Sequence, residues 1–448
     1  MIDSPNEITV YTFIIICFYL VAMRNIWVIV SEKMNSSAAL TWILVNISFP
    51  FIGVPLFFFL GQNKLKHYRK RREKRVMSPN KELFRSSTHN DLRLITTGPE
   101  AFSLIKNEIR HAKQSIIVQY YIFRTDSLGL NIIELLIEKA REGVQVFFLY
   151  DNLGSFSLTG KHSRRMKAAG VHVENFLPFS FRFNLQINFR NHRKMVLVDG
   201  KCCFLGGMNV GEEYLGKRRH WRDTQVQIKG PACHEIMDTF CEDWTFAASK
   251  KNLEALKKLR QSDEKAGSGK FPLQVFSYGP GDELHRGLFM FMDLLSKAEE
   301  SITIATPYYI PDHVLQKVLE LAVLKGIEVK LIIPAKSDSL AVQLINQFNV
   351  KHAARRGAMV HLYEPGFMHQ KVILVDEQFA LLGTSNFDNR SIYLNFETSI
   401  VVEDHSFAVQ VKEMLDKDLK NCRLLTVSED KLAHRLAEKI MRLAAPLF

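Results

Sequence analysis

His192-Arg193-Lys194-Met195-Val196-Leu197-Val198-Asp199 and His369-Gln370-Lys371-Val372-Ile373-Leu374-Val375-Asp376 are two versions of one phrase. Both follow H-x-K-x4-D, and an asparagine stands ten residues past each aspartate, at Asn209 and Asn386. Ordinary residue frequencies produce one H-x-K-x4-D by chance in about ten thousand windows. Two copies with the same trailing asparagine therefore indicate a duplicated unit. The four residues between Lys and Asp are apolar in both copies. They read as a strand that carries His and Lys, two positions apart, on one face.

The duplication extends outward from the motif. Residues 115–123 (SIIVQYYIF) read as a strand, 130–141 as an amphipathic helix and 144–150 as a second strand. Residues 301–310 (SITIATPYYI), 313–324 and 327–333 repeat that order. A glycine precedes each later strand, Gly143 and Gly326, and a further pair recurs at Gly170 and Gly357. Strand–helix–strand order predicts parallel pairing with helices on the sheet faces. The expected fold is α/β, with two mixed or parallel sheets flanked by helices and one shared active site.

Two apolar stretches precede this unit, residues 8–30 and 38–60. A helix of either length spans about 34 Å, enough for a bilayer core. The first has no basic segment before it and is followed closely by the second, so it reads as a retained span rather than a cleaved signal. Arg24 lies near one end, where it can snorkel, and Pro50, Gly53 and Pro55 are tolerated as kinks. Lys64, Lys66, Arg69, Lys70, Arg71, Arg72, Lys74 and Arg75 follow directly, whereas the connecting loop carries only Lys33. The positive-inside rule puts that basic run, and with two spans the N-terminus, in the cytoplasm. The run also suits anionic headgroups. The expected divisions are 1–62 (two transmembrane helices), 63–90 (basic linker), 91–265 (first half) and 266–448 (second half).

The whole chain has 448 residues and a formal net charge of +12. That balance favours polyanionic partners, nucleic acid or an anionic membrane surface, without choosing between them. The six cysteines show no C-x-x-C or Cys/His spacing and read as reduced, mostly buried thiols. The chain has no phosphate-binding loop for nucleotides.

Residue types in the repeated motif suit phosphodiester chemistry. A neutral His can attack phosphorus, and a second, protonated His can give a proton to the leaving alcohol. Lys194, Lys371, Asn209 and Asn386 can hold non-bridging oxygens, so the chemistry needs no metal and no cofactor. Each imidazole needs a carboxylate on its other nitrogen, and Asp223 and Glu397 are the downstream candidates. Asp199 and Asp376 end their strands and read as turn or ion-pair residues. Tyr120-Tyr121 and Tyr308-Tyr309 read as packing residues at strand ends. The aromatic stretch 176–189, flanked by Arg190, reads as a lip dipping into the membrane. The tail 431–443 has helical spacing and is expected to dock on the domain.

The doubled motif resembles the phospholipase D superfamily. Longer strings resemble bacterial cardiolipin synthases: Arg190-Asn191-His192-Arg193-Lys194, Gly206-Gly207-Met208-Asn209 and Trp221-Arg222-Asp223-Thr224 in the first half. In the second half they are Thr306-Pro307-Tyr308-Tyr309-Ile310-Pro311-Asp312, Ser337 with Asp338, Gly383-Thr384-Ser385-Asn386-Phe387-Asp388-Asn389-Arg390-Ser391 and Asn395-Phe396-Glu397. Thr384 stands where that family usually has Ser, and the hydroxyl is kept. The resemblance implies catalytic roles for His192, Lys194, Asp199, His369, Lys371 and Asp376. It implies substrate contacts for Asn209, Asn386 and Thr384, orienting roles for Asp223 and Glu397, and no metal. His192 would be the nucleophile and His369 the acid and base. The implied substrates are phosphatidylglycerol and cardiolipin in a lipid bilayer, with no nucleic acid. The implied place is the bacterial inner (plasma) membrane, as a multi-pass protein with a cytoplasmic catalytic domain. A hydrolase using water, or a transferase using another alcohol or phosphatidylethanolamine, shares the same first step.

Overall fold

The structure is a computed structural model that describes residues 5–31, 36–58, 84–158, 160–176, 189–216, 221–259, 269–280, 282 and 284–427. The basic run at 64–75, the aromatic residues 177–188 and the tail 431–443 lie outside the described residues. The chain divides into two compact units, residues 1–70 with 179–188, and 71–178 with 189–448.

In the smaller unit the first apolar stretch is one helix, Pro5–Ser31. Its segment Thr9–Ser31 is long and apolar enough to cross a membrane, and it alone among the described residues meets that test. The second stretch differs from the single span expected. It breaks into Ser36–Ser48 and Pro50–Leu56, because Pro50 has no N–H to continue the ladder. The turn is held instead by Gly53 donating to the Phe49 carbonyl at 2.7 Å. Two buried asparagines tie the helices together, Asn25 Nδ2 donating to Asn46 Oδ1 at 3.1 Å. Interhelical amide bonds of this kind are common glue where the surroundings are apolar.

The larger unit is built twice. In the first half the strands Ser115–Tyr120, Gln145–Asp151 and His172–Phe176 pair in parallel. Met195–Val198, Cys202–Gly206, Gln225–Lys229 and Ser86–Ile95 continue the sheet antiparallel. The second half repeats the pattern. Ser301–Ala305, Glu328–Pro334 and Met359–Tyr363 are parallel, and Val372–Val375, Phe379–Gly383, Asn395–Glu403 and Phe271–Tyr278 are antiparallel. The glycines before the second parallel strand of each half, Gly143 and Gly326, have φ of 91° and 86°. A side chain would be strained in that left-handed end of a helix.

The two separate sheets expected from the sequence are one. Ser86–Ile95 pairs antiparallel with Phe271–Tyr278, giving a continuous sheet of 16 strands among the described residues. The seam strand starts at Ser86, inside the segment expected to be linker. Buried Asn90 pins the bulge there, donating to the Ser87 carbonyl at 2.9 Å and accepting from the Ala232 amide at 3.0 Å. Each half keeps its own apolar core, one around Ile116, Val118, Ile133 and Phe148, the other around Ile302, Ile304, Leu315 and Leu331.

Candidate active site

The histidines do not stand on the strand predicted for them. Strands begin one residue past each lysine, at Met195 and Val372. Met195–Val198 and Val372–Val375 are wholly buried. Each His lies in the short approach, and each approach pairs with the opposite half. Arg190–Asn191 runs parallel to Asn395–Phe396, and Phe367–Met368 runs parallel to Trp221–Arg222. The His192 amide then donates to the Phe396 carbonyl at 2.9 Å, and the His369 amide to the Arg222 carbonyl at 2.8 Å.

This register crosses the carboxylates between halves. His192 Nδ1 meets Glu397 Oε1 at 2.9 Å, and His369 Nδ1 meets Asp223 Oδ2 at 2.6 Å. Each imidazole of one half is therefore oriented by the acid of the other. Glu397 accepts from the Thr384 hydroxyl at 2.5 Å and from Asn395 Nδ2 at 3.1 Å. Those donors assign Glu397 as the acceptor and place the His192 proton on Nδ1. Asp223 accepts from the Thr224 amide at 2.8 Å, and the Tyr214 hydroxyl lies 3.3 Å from His369 Nδ1. Gly207 faces Asp223 so closely that a Cβ there would fall 2.2 Å from Oδ1.

Burial governs the charges. It holds His192 well below 6.5, helped by the Lys194, Lys371 and Arg390 cations. It lowers His369 to about 4, with Lys371 adding to the effect and Asp223 opposing it. Burial also lowers Lys371 to about 8 and Lys194 well below its ordinary range. Glu397 is pushed up to about 7 by the same desolvation. At neutral pH both imidazoles of the ligand-free site are uncharged. Each lysine folds back onto its own motif, Nζ donating to the His192 or His369 carbonyl at 2.5 Å.

Both histidines line one cavity of about 280 Å³, with Asn209, Asn386, Tyr121, Trp221, Arg190 and Arg390, and with Tyr308, Asp338, Asp388 and Asn395. Asn209 Oδ1 accepts from the Ile122 amide at 3.2 Å. Thr384, expected to touch substrate, does not line the cavity. It is fully buried, with its hydroxyl committed to Glu397 and its neighbour Thr398, so its geometry is that of a positioning residue. Asp199 and Asp376 are also apart from the cavity, at the far ends of their strands. Each has φ of 51° and accepts three backbone amides: Lys113, Gln114 and Ser115 for Asp199, and Glu299, Glu300 and Ser301 for Asp376. They close turns. Among the described residues no group of three or more His, Cys, Asp or Glu is disposed to hold a metal.

Several neighbours of the site lie outside the repeated pattern. Trp221 lies 5.0 Å from the His369 ring and Tyr121 4.9 Å from the His192 ring, centroid to centroid. Arg193, the variable residue of the first motif, is buried against Asp243, with Nε donating to Thr398 Oγ1 at 2.9 Å. In the second half Gln370 takes its place and Arg222 supplies the cation, paired to Asp418 at 2.7 and 2.8 Å. Asp243 and Asp418 sit on the corresponding helices Ala232–Ala247 and His405–Leu419. Asp243 and Asp418 would be singled out only by an alignment of one half on the other.

A family model described as "Cardiolipin synthase, PLD-like domain" matches residues 105–244 and 291–419, one block in each half. The chain belongs to this family. Cardiolipin synthase A of Pseudomonas entomophila is 39% identical over 360 residues, which cover 80% of this chain and 74% of that relative. Cardiolipin synthase A of Pseudomonas aeruginosa has the same identity over 80% of this chain and 72% of its own length. The crystal structure of phosphatidylserine synthase from Haemophilus influenzae matches with a TM-score of 0.65 and 17% identity, over 85% of this chain and all of that one. At that identity the likeness speaks for the fold. Members of the family are phosphatidyltransferases, and the chain is an enzyme of that class.

Proposed function

We propose that the chain makes cardiolipin by transferring a phosphatidyl group from one phosphatidylglycerol to another through a phosphohistidine. The observation that carries this reading is the pair of imidazoles on one cavity, each with Nδ1 held by a carboxylate, which leaves both Nε2 atoms for the substrate. His192 Nε2 attacks phosphorus, and the bond from phosphorus to the glycerol oxygen breaks. That oxygen takes its proton from His369, and glycerol departs. A glycerol hydroxyl of the second lipid then attacks phosphorus and gives its proton to His369 as the phosphorus–nitrogen bond breaks. One phosphodiester replaces another. Lys194, Lys371, Asn209 and Asn386 would steady the non-bridging oxygens, while Asp223 and Glu397 fix the rings.

In this reading both apolar stretches span the bacterial plasma membrane, the second as a kinked pair of helices. The N-terminus and the catalytic unit then lie on the cytoplasmic side. The division at 1–62, 63–90, 91–265 and 266–448 goes with it, except that the seam strand begins at Ser86.

The test is to give the purified full-length protein labelled phosphatidylglycerol with no metal and no nucleotide. Cardiolipin plus glycerol is the expected outcome. Phosphatidic acid as the main product would make water the acceptor, and no product would leave the chain a scaffold.

The charge state of the site adds a second expectation. With His369 at about 4 in the free protein, the general acid gains its proton only when an anionic phosphodiester enters beside it. Binding should therefore take up protons near neutral pH, and affinity should weaken as pH rises above about 4. Calorimetric titration with a non-reactive phosphodiester, in buffers of different ionisation enthalpy, measures the uptake. A buffer-independent heat would contradict it.

A further inference from the structure

The groups that act on one phosphorus are present twice: His, Lys, Asn and a carboxylate in each half. Other residues lining the cavity are not matched. Arg190 stands two residues before His192, and Phe367 stands two before His369. Arg390 stands four past Asn386, and Glu213 stands four past Asn209. Asn395 precedes Glu397 by two, and Trp221 precedes Asp223 by two. The side of His369 is therefore aromatic. Trp221 and Phe367 lie 4.9 Å apart and 5.0 and 5.7 Å from the His369 ring. Glu213 is absent from the cavity lining and is tied to Arg124 at 2.7 Å. Both cavity arginines, Arg190 and Arg390, come from the unmatched positions and line the cavity with His192. Arg190 is buried beside Asp151, 3.8 Å away.

If these guanidiniums served the bond-making step at phosphorus, the duplicated design would supply them twice, as it supplies the lysines. What the reaction does not duplicate is the incoming lipid, whose attacking hydroxyl lies three carbons from its own phosphodiester. While the first phosphatidyl group sits on His192, that second anion needs a cationic seat in the same cavity. A guanidinium fork matches a phosphodiester better than an ammonium does. We propose that Arg190 and Arg390 bind the spectator phosphodiester of the acceptor lipid and so favour a lipid acceptor over water or a simple alcohol. The inference rests on the reading in "Proposed function" and names the residues that would choose the acceptor.

The experiment is a competition in vesicles. Full-length protein receives labelled phosphatidylglycerol and 1-propanol, which carries a hydroxyl and no phosphate, and the ratio of cardiolipin to phosphatidylpropanol is read. Arg390→Gln should lower that ratio about tenfold, Arg390→Lys should restore part of it, and Arg190→Met should act in the same direction. Labelling of His192 in each variant reports that the site is still assembled. A ratio unchanged within about twofold, whether both products fall together or neither moves, would overturn the inference. Wild-type protein that forms phosphatidylpropanol and no cardiolipin would overturn the function reading itself, before any variant is compared.

Discussion

His369→Ala protein given labelled phosphatidylglycerol should retain label on His192 while turnover falls by about four orders of magnitude or more. The first step needs a nucleophile and a proton donor. Without His369 the leaving glycerol must find its proton in water, so the adduct forms slowly, and the second step has no base to complete it. His192→Ala should lose turnover by a similar factor and carry no label, because the bond to phosphorus has no nitrogen to form on. Acid-labile, hydroxylamine-sensitive label in denatured protein distinguishes the two. Comparable label in both variants, or turnover retained in either, would count against a single phosphohistidine at His192. Glu397 should behave differently. It holds a ring and does not itself bond substrate, so Glu397→Gln should slow turnover while leaving some label.

The largest stability effect is expected at Asp243→Ala. This carboxylate is fully buried and accepts from Gln119 Nε2 at 2.6 Å, from Asn191 Nδ2 at 2.7 Å and from Arg193. Removing it takes the carboxylate from a buried guanidinium that also donates to the Tyr278 carbonyl at 3.2 Å. Breaking one side of a buried ion pair costs about 3–5 kcal/mol. Urea unfolding, followed by tryptophan fluorescence, should show a lower midpoint of that order. A midpoint within about 0.5 kcal/mol of wild type would mean that the interior relaxes or admits water around Arg193. The same cut should also weaken activity more than its stability cost suggests, since Arg193 joins the motif to Thr398 and the Glu397 backbone.

The duplicated fold was legible because its signals are local and periodic. Helix 313–324 falls where its apolar spacing put it, and the alternation of strand and helix carries the parallel core of each half. The fusion of two sheets was not legible. It depends on Ser86–Ile95, a polar strand whose burial pattern is mixed, and on Asn90, whose contacts with Phe271 and Ala232 join residues far apart in sequence. The second apolar stretch misled for a related reason. Composition reports that a segment is apolar, whereas its continuity as a helix turns on one missing amide at Pro50.

At the site, repetition brought out the residues that recur, and the likeness to a family brought out some that do not. The two histidines, lysines, asparagines and carboxylates stood out because each appears in both halves. Arg390, Trp221 and Asp338 line the same cavity without a counterpart of like chemistry, so they stood out through the longer family-like strings and not through repetition. Thr384 shows the reverse error. The family likeness implied contact with substrate for its hydroxyl, yet that hydroxyl holds Glu397 in place.

The exchange of carboxylates between halves has a consequence for how such a protein can change over time. Neither half can furnish a competent imidazole by itself, so the ancestral single unit would have had to work as a symmetric pair of identical copies. Once the two were joined in one chain, each copy was free to drift at every position the other did not lean upon, and Arg190 against Phe367 is the visible result.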